Sequence, residues 1–308
     1  MRILIYHSLI FAFLSVFGSA KEWTKFRGPS GDGHVTVKSI PLKWSETDNI
    51  KWKVSVPGKG WSSPVISADK IYLTSAVAEG DNQDAADVHR ELRVICFSAN
   101  NGKKLWDTKV FDQKPLKRPI HHKNSHASPT AIVDNDRIYV HFGHMGSACL
   151  NLQGEIIWKN NELKYDPLHG NGGTPIIVDD LFFYSADALT NPFVVALDKN
   201  TGKVVWKKSR SETKQARKFS FSTPTFINMG GRSQIISPAS GAVFSYDSKT
   251  GDELWSVDYG GWSVIPKPGV YKNMIYVGTG YERAHLLGIR VDEKSKGNVT
   301  ESHVEWEI

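Results

Sequence analysis

Short apolar runs alternate with turn residues along the chain after residue 20. In one stretch, residues 175–207, the runs read PIIV, LFFYS, FVVAL and KVVWK. They are four or five residues long, rich in Val, Ile, Phe and Tyr, and bounded by Asp, Asn or Gly, which is typical of β-strands. No segment after residue 20 carries a convincing helical period. The pattern predicts an all-β fold built from four-stranded units.

The last strand of each unit follows a turn and carries a tryptophan. DKNTGKVVW (198–206) and DSKTGDELW (247–255) share Asp, Thr, Gly and Trp at the same offsets, and SANNGKKLW and NLQGEIIW are looser copies. Repeats of this kind, roughly 40–50 residues long, are typical of β-propeller blades. We expect the glycine to take positive φ in the turn and the tryptophan to pack between blades. The repeat tryptophans are Trp52, Trp106, Trp158, Trp206, Trp255 and Trp306.

Each unit also begins with a proline that follows a small or hydroxylated residue. The starts read SSP, ASP, GTP and STP, with a weaker VIP in the fifth unit. They divide the repeat region, residues 44–308, into about five blades. The predicted blades are 57–110, 125–162, 171–210, 220–259 and 263–308.

The stretch ALDKNTGKVVW (196–206) resembles the repeat of the pyrroloquinoline-quinone-like (PQQ-like) β-propeller family. The resemblance lies in its small first residue, its Asp, its Thr-Gly pair and its Trp. The opening WTKFRGPSGDGH (23–34), with GWSSP, SHASPT, HGNGGTP and FSFSTP, is similar to its secreted members. The resemblance implies a propeller that has seven or eight blades when complete. It does not imply one reaction, because the family holds quinone-dependent dehydrogenases and also cofactor-free scaffolds such as the lipoprotein of outer-membrane barrel assembly.

One tryptophan precedes the first proline start. Trp52 follows Thr47 at the offset by which Trp206 follows Thr201, so residues 47–56 are predicted to form an outer strand. Such a strand normally closes the ring by joining inner strands from the carboxyl end. We therefore expect a C-terminally truncated chain that forms an open arc of five blades and aggregates or dimerises through its exposed ends.

The first 20 residues have one arginine, an apolar run, and small residues at Gly18 and Ala20. This is typical of a secretory signal peptide, followed here by an extension at 21–43. A transmembrane anchor is the alternative, but the apolar run is short and interrupted by His7 and Ser8. The mature protein is predicted to be secreted or periplasmic, with no membrane span.

The formal net charge of +6 is modest for 308 residues and does not indicate nucleic-acid binding. The basic stretch KKSRSETKQARK (207–218) could attract an anionic partner. A solvated loop is the simpler interpretation, because no aromatic residues are interleaved with the charges. Cys96 and Cys149 occupy the slot of Ala196 in their own blades, which predicts two core thiols too far apart for a disulfide.

The loops after the second and fourth strands of all blades should open on one face. They are long, they hold seven of the eleven histidines, and long loops on a rigid scaffold often carry function. Residues just before the inner strands should ring the mouth of the central channel and bind a polar ligand with flat faces. These candidates are Lys59, Trp61, Asn124, His126, His169, Asn171, Lys218 and Trp262.

A metal site is an alternative for this face, although the sequence predicts none. The alternative ligands are His121, His122, His126, His141 and His144. Their spacing matches no standard zinc motif, and adjacent histidines on one loop usually point apart. Histidines that are solvated or hydrogen-bonded to neighbouring loops are the simpler interpretation.

Two functions fit the sequence. The preferred hypothesis is a non-catalytic exported scaffold that binds a protein or a small polar ligand and uses no cofactor. The alternative is a quinoprotein oxidoreductase, for which the resemblance implies pyrroloquinoline quinone and calcium in the channel. Residues that could serve them are Trp61 or Trp262, Asn171, Asp187 and Lys218. The adjacent cysteines typical of quinone-dependent alcohol dehydrogenases do not occur in this sequence, which weakens the alternative.

Overall fold

The computed structural model describes residues 22–37, 39–80, 82–116, 119–281 and 284–308. The signal peptide predicted at 1–20 lies outside the described residues. Within them the chain forms five β-sheets, in which consecutive strands pair antiparallel. The predicted all-β propeller with about five blades is therefore confirmed. No helix in the described ranges is long and apolar enough to cross a membrane.

The strands follow one another blade by blade. Blade 1 contains β1 (Val65–Ser67), β2 (Lys70–Ala78), β3 (Arg90–Ser98) and β4 (Lys104–Gln113). Blade 2 contains β5 (Ile132–Asp134), β6 (Arg137–His141), β7 (Ser147–Asn151) and β8 (Ile156–Asn160). Blade 3 contains β9 (Ile176–Val178), β10 (Leu181–Ala186), β11 (Phe193–Asp198) and β12 (Val204–Ser209). Blade 4 contains β13 (Thr225–Met229), β14 (Arg232–Pro238), β15 (Ala242–Asp247) and β16 (Glu253–Asp258).

Blade 5 departs from this pattern. It contains β17 (Gly269–Tyr271), β18 (Met274–Gly278), β19 (Leu286–Arg290) and β21 (Val304–Glu307). Between β19 and β21 lie β20 (Gly297–Asn298) and the short helix α1 (Thr300–His303). β20 adds to the edge of blade 4, parallel to β16. This insertion replaces the short turn of the other blades and was not predicted from the sequence.

The repeat tryptophans pack on the glycine turn of the next blade. A Cβ added at Gly202 would lie 2.5 Å from the Trp158 ring, and the Trp158 indole N–H donates to the Lys199 carbonyl at 2.8 Å. Gly202 also has φ +73°, so the turn requires glycine for two reasons. The same packing joins Trp106 to Gly154 and Trp206 to Gly251. Interblade packing of these tryptophans is thus confirmed.

The prediction is wrong for the first and last tryptophans of the series. Trp52 does not lie in a strand, and Trp306 does not pack between two blades. No strand forms over residues 47–56, because no described strand lies beside this segment to pair with it. Trp52 nevertheless covers Gly102 of blade 1 and donates to the Ala99 carbonyl at 3.0 Å. Trp306 packs on Gly288 of its own blade and stays 38% exposed, because no described blade follows it.

The two cysteines lie where they were predicted. Cys96 pairs with Trp106 across the strands, and Cys149 pairs with Trp158, as Ala196 pairs with Trp206. Both thiols are free and fully buried. Burial raises the pKa of Cys96 to about 12 and that of Cys149 to about 11. They are therefore unreactive core residues.

Buried apolar side chains form one core between each pair of consecutive blades. Blades 1 and 2 share a core that includes Leu92 and Val140, and blades 2 and 3 share one that includes Tyr139 and Phe182. Two further cores join blade 3 to blade 4 and blade 4 to blade 5. No core formed by the described residues joins blade 5 to blade 1. The dimerisation or aggregation expected of an open arc stays a prediction.

Hydroxyl groups link the starts of the inner strands. They belong to the hydroxylated residues that lie next to the repeated prolines. The backbone N–H of Ser63 donates to Thr130 Oγ1, that of Thr130 donates to Thr174 Oγ1, and that of Thr174 donates to Thr223 Oγ1, each at 3.0 Å. A short hydroxylated side chain can reach the neighbouring strand without filling the channel. This chain of hydrogen bonds holds the residues before the inner strands in fixed positions around the channel mouth.

Candidate functional site

The loops after the second and fourth strands share one face, which we call the long-loop face. The turns between first and second strands, on the opposite face, have two residues in every blade. The loops after the second strands are 79–89, 142–146, 187–192, 239–241 and 279–285. The predicted asymmetry therefore holds for the loops after the fourth strands of blades 2 to 4, at 161–175, 210–224 and 259–268, but not for the loops after the second strands of blades 2 and 4, which have five and three residues. The insertion of blade 5 also departs from it, because it lies on the short-turn side.

A continuous row of rings runs along the long-loop face from blade 2 to blade 5. We call it the aromatic arc, and its members are His121, His122, His169, Phe219, Phe221, Trp262 and Tyr281. Consecutive centroids are 4.4 Å apart for His121 and His122, 5.2 Å for His121 and His169, 5.1 Å for His169 and Phe219, 5.4 Å for Phe219 and Trp262, and 5.0 Å for Trp262 and Tyr281. Two predicted candidates, His169 and Trp262, are thus brought together in one structure.

Sequence reasoning missed the residues that connect the arc. Phe219 is fully buried and contacts His169, Phe221 and Trp262 by its ring edges or tilted faces. Tyr281, at the other end, is 64% exposed. The FSF of FSFSTP, placed just before an inner strand, was the available sequence signal for Phe219. Tyr281 has no counterpart at its position in the other repeats.

Cationic groups cover parts of both tryptophans at the channel mouth. Arg217 lies 4.3 Å from the centroid of the Trp262 ring, and Lys59 lies 5.5 Å from that of Trp61. Both are cation–π contacts. Trp61 remains 56% exposed, and Lys59 also forms an ion pair with Asp84. The long-loop face therefore presents exposed rings beside positive charge.

The two candidate amides connect loops to each other. Asn124 Nδ2 donates to the His169 carbonyl at 2.8 Å, and Asn124 Oδ1 accepts a hydrogen bond of 2.6 Å from Ser128 Oγ. Asn171 Oδ1 accepts from the Tyr165 hydroxyl at 3.0 Å. These bonds use the donors and acceptors that a ligand would need. Asn124 and Asn171 therefore fix the shape of the channel mouth.

The histidines considered as metal ligands do not form a ligand set. His121 and His122 stack on each other at 4.4 Å, contrary to the expectation that adjacent histidines point apart. His141 is fully buried, and its ring nitrogens lie 2.9 Å from Ser147 Oγ and 3.3 Å from the Tyr165 hydroxyl. Burial lowers the pKa of His141 to about 3 and, together with Arg90, that of His126 to about 4. Burial also lowers the pKa of His144. No three His, Cys, Asp or Glu side chains in the described ranges form a group suited to a metal ion.

The two remaining charged candidates are paired. Lys218 forms an ion pair with Glu212. Asp187 accepts two hydrogen bonds from Arg210, one of 2.6 Å from Nε and one of 2.9 Å from Nη2. Both side chains are almost fully buried. Burial alone would lower the pKa of Arg210, but the attraction of Asp187 raises it. Arg210 of this bidentate pair also donates to the Ser237 hydroxyl in β14, which connects blade 3 to blade 4.

A cleft of about 430 Å³ opens on the same face between the loops that follow blades 1 and 2. Its walls are mostly apolar, with His144 and Asp166 as the polar groups. The lining residues are Leu116, Pro119, Ile120, His144, Asp166, Pro167 and Leu168. The cleft extends the face beyond the end of the aromatic arc at His121 and His122.

Comparison with known proteins identifies the repeat. The family model described as outer membrane protein assembly factor BamB matches residues 21–161, 90–261 and 190–296 in overlapping segments. The chain belongs to this PQQ-like repeat family. The resemblance predicted from the Thr-Gly-Trp repeats is therefore confirmed.

Members of the PQQ-like repeat family with curated names include quinone-dependent enzymes. The chain is 33% identical over 140 residues to quinoprotein ethanol dehydrogenase of Pseudomonas aeruginosa, a match that covers 41% of this chain and 22% of that enzyme. It is 30% identical over 118 residues to 1-butanol dehydrogenase (quinone) of Thauera butanivorans, covering 33% and 18%. The matches thus span about a fifth of the length of these relatives.

Solved structures of PQQ-like propellers show the same fold. BamB from Moraxella catarrhalis superposes with a TM-score of 0.52 at 14% identity, covering 82% of this chain and 75% of that one. Quinohemoprotein alcohol dehydrogenase from Comamonas testosteroni superposes with a TM-score of 0.52 at 11% identity, covering 90% and 48%. At these identities the likeness concerns the architecture alone.

The residues considered for pyrroloquinoline quinone and calcium do not fit these groups. Calcium requires six to eight oxygen ligands, and the candidate carboxylate, Asp187, gives both oxygens to Arg210. Asn171 is held by Tyr165, and Lys218, the candidate cation for quinone carboxylates, pairs with Glu212. Three of the residues considered for a quinone and calcium site, Asp187, Asn171 and Lys218, are therefore already engaged within the protein.

Proposed function

We propose that this protein is an exported, non-catalytic scaffold that binds a protein or a flat polar ligand through its long-loop face. The observation that carries the proposal is the aromatic arc across four blades, flanked by the exposed Trp61 of blade 1. Aromatic side chains and arginine supply much of the energy of binding interfaces. Within the arc, Phe219 is almost fully buried and contacts both His169 and Trp262.

A quinoprotein oxidoreductase is the second candidate function, because the two named relatives are quinone-dependent dehydrogenases. The engaged states of Asp187, Asn171 and Lys218 weigh against it. The two cysteines also lie in different blades, each opposite its own tryptophan. A scaffold needs none of these groups to be free and therefore agrees better with the geometry.

Site-specific photo-crosslinking in the native host tests which face binds. A photoreactive phenylalanine analogue replaces Trp61 or Tyr281 on the long-loop face, and Asn200 or Asp136 on the short turns serves as a control. We expect discrete crosslinked products from the first two positions and none from the controls. Products from Asn200 and Asp136 alone would place the binding face on the other side of the propeller.

Trp262→Ala then tests the arc itself. Its loss should weaken the crosslinking at Tyr281 at least tenfold, because Trp262 lies between Phe219 and Tyr281. The matched control is Trp44→Ala, since Trp44 is an exposed tryptophan, at 69%, outside the arc. Undiminished crosslinking in the Trp262→Ala variant would contradict the proposal.

A further inference from the structure

Residues 22–33 form a segment, which we call the N-terminal strap, that lies against the inner strands of two blades. Trp23 pairs with Ile66 of β1 through two backbone hydrogen bonds of 2.8 and 2.9 Å. The Thr24 carbonyl accepts from the N–H of Val133 in β5 at 2.8 Å. Since β1 and β5 are the edge strands of their sheets on the channel side, the strap adds to both blades from within the channel.

The strap also folds on itself. A Cβ added at Gly28 would lie 2.6 Å from the Trp23 ring, and Gly28 has φ +77°. The Gly28 N–H donates to the Lys25 carbonyl and the Gly31 N–H donates to the Gly28 carbonyl, each at 2.9 Å. The glycines of the opening WTKFRGPSGDGH, which the blade repeats do not use, therefore give the strap a compact shape.

The other end of the strap reaches the last blade. Lys267, two residues before β17, donates from Nζ to the Gly31 carbonyl at 2.9 Å. Lys267 is half-buried, and a charge-assisted hydrogen bond of a partly buried group is costly to lose. The strap thus connects blade 5 to blades 1 and 2.

This connection lies where the described residues form no shared core. The four interblade cores join consecutive blades, and no core within the described ranges joins blade 5 to blade 1. In a repeat protein each unit contacts its neighbours, so small changes of angle between blades add up along the series. We propose that the N-terminal strap is a clasp that sets the position of blade 5 relative to blades 1 and 2.

The clasp has a consequence for the long-loop face. Trp262 and Tyr281 lie in the loops before and within blade 5, whereas Trp61 lies just before the first strand of blade 1. These rings can contact one partner together when the two blades keep a fixed distance. The consequence rests on the proposed function, but the clasp itself does not.

Distances between two spin labels test the clasp in the purified full chain. Asp69→Cys in the first turn of blade 1 and Asn273→Cys in that of blade 5 carry the labels, and both positions are exposed. Cys96 and Cys149 are buried and should remain unlabelled. Pulsed electron–electron double resonance should give one narrow distance distribution, which the additional variant Lys267→Met should make at least twofold broader.

Further variants separate the clasp from general destabilisation. Gly28→Ala places a methyl group against the Trp23 ring and should broaden the distribution without a change in blade 5. Gly80→Ala matches its backbone strain, with φ +80° and no atom of the described residues within 4 Å of the added Cβ, and should leave the distribution unchanged. Lys294→Met, which removes an exposed lysine of blade 5, is the control for Lys267→Met.

An unchanged distribution in the Lys267→Met variant would overturn the proposal. If that variant does not fold, an unchanged distribution in Gly28→Ala would overturn it instead. Equal broadening in the two control variants would also overturn it, because the effect would then not depend on the strap.

Photo-crosslinking separates this result from the proposed function. In the Lys267→Met variant, crosslinking at Tyr281 should weaken at least tenfold relative to that at Trp61. A broader distance distribution with unchanged crosslinking would support the clasp and refute its consequence for the long-loop face. Absence of crosslinking at both positions in the wild type would refute the proposed function alone.

Discussion

In three repeats, a tryptophan fills the space that a glycine leaves in the next blade. Trp158 covers Gly202, and its indole N–H satisfies the Lys199 carbonyl in the same turn. The pair requires glycine because a Cβ would overlap the ring and because the turn has positive φ. One contact thus fixes both the shape of the turn and the angle between neighbouring blades.

Loss of a docked tryptophan should strongly reduce the free energy of unfolding. Trp206 is 8% exposed and Trp255 is fully buried, so their replacement by alanine should each cost about 3–5 kcal/mol. Trp61→Ala is the control, because Trp61 is 56% exposed, and it should cost far less. Chemical denaturation measures the difference. Near-wild-type stability of both Trp206→Ala and Trp255→Ala would refute the blade assignment.

The buried His141 should make stability depend on pH. Its pKa is about 3 in the folded protein because of burial and about 6.5 in an unfolded chain. Below pH 6.5 the unfolded chain binds a proton that the folded protein excludes, so stability falls as pH decreases, by at most about 1.4 kcal/mol per pH unit from this group. Denaturation between pH 6.5 and 4.5 should show a smaller loss for His141→Gln than for wild type. If the free energy of unfolding fell equally steeply with decreasing pH in both proteins, this account of His141 would be contradicted.

At the scale of the elements, the ion pair of Asp187 and Arg210 lies at the ends of two blade 3 strands, β10 and β12, and Arg210 links the pair to blade 4 through Ser237. Both side chains are almost fully buried and share two hydrogen bonds. Neither residue is near the other in the sequence, and the repeat pattern contains no signal for the pair. The pair shows why Asp187 was misjudged as an available carboxylate, since exposure of a loop residue cannot be inferred from its loop position.

Removal of one partner should cost more than removal of both. Asp187→Asn or Arg210→Met leaves a buried group uncompensated and should destabilise by about 3–5 kcal/mol. The double variant Asp187→Leu with Arg210→Met should be less destabilised than either single variant. Lys208→Met, which breaks an exposed pair with Asp252, should stay within about 1 kcal/mol of wild type. Additive losses in the double variant would show that the pair is not coupled.

At the scale of the whole molecule, the repeats determine what can be predicted. Thr-Gly-Trp spacing and the proline starts predict five blades, their strand order and the cysteine slots, because each blade repeats the same local contacts. The pairing of Trp23 with Ile66 of β1 and the pairing of β20 with β16 escape prediction, because each contact occurs once. The aromatic arc lies between these cases: His169 and Trp262 follow from their positions before inner strands, whereas Phe219 and Tyr281 are placed by tertiary packing.

The whole molecule also bears on the choice between the proposed scaffold and the alternative enzyme. The carboxylate considered for calcium, Asp187, is held by Arg210 through both oxygens. The most direct test is titration of the purified protein with pyrroloquinoline quinone and calcium, followed by absorbance and by dye-linked oxidation of ethanol and 1-butanol. We predict no saturable quinone binding and no dye reduction above the protein-free control. Saturable binding with alcohol-dependent dye reduction would contradict the account of this propeller as a non-catalytic scaffold.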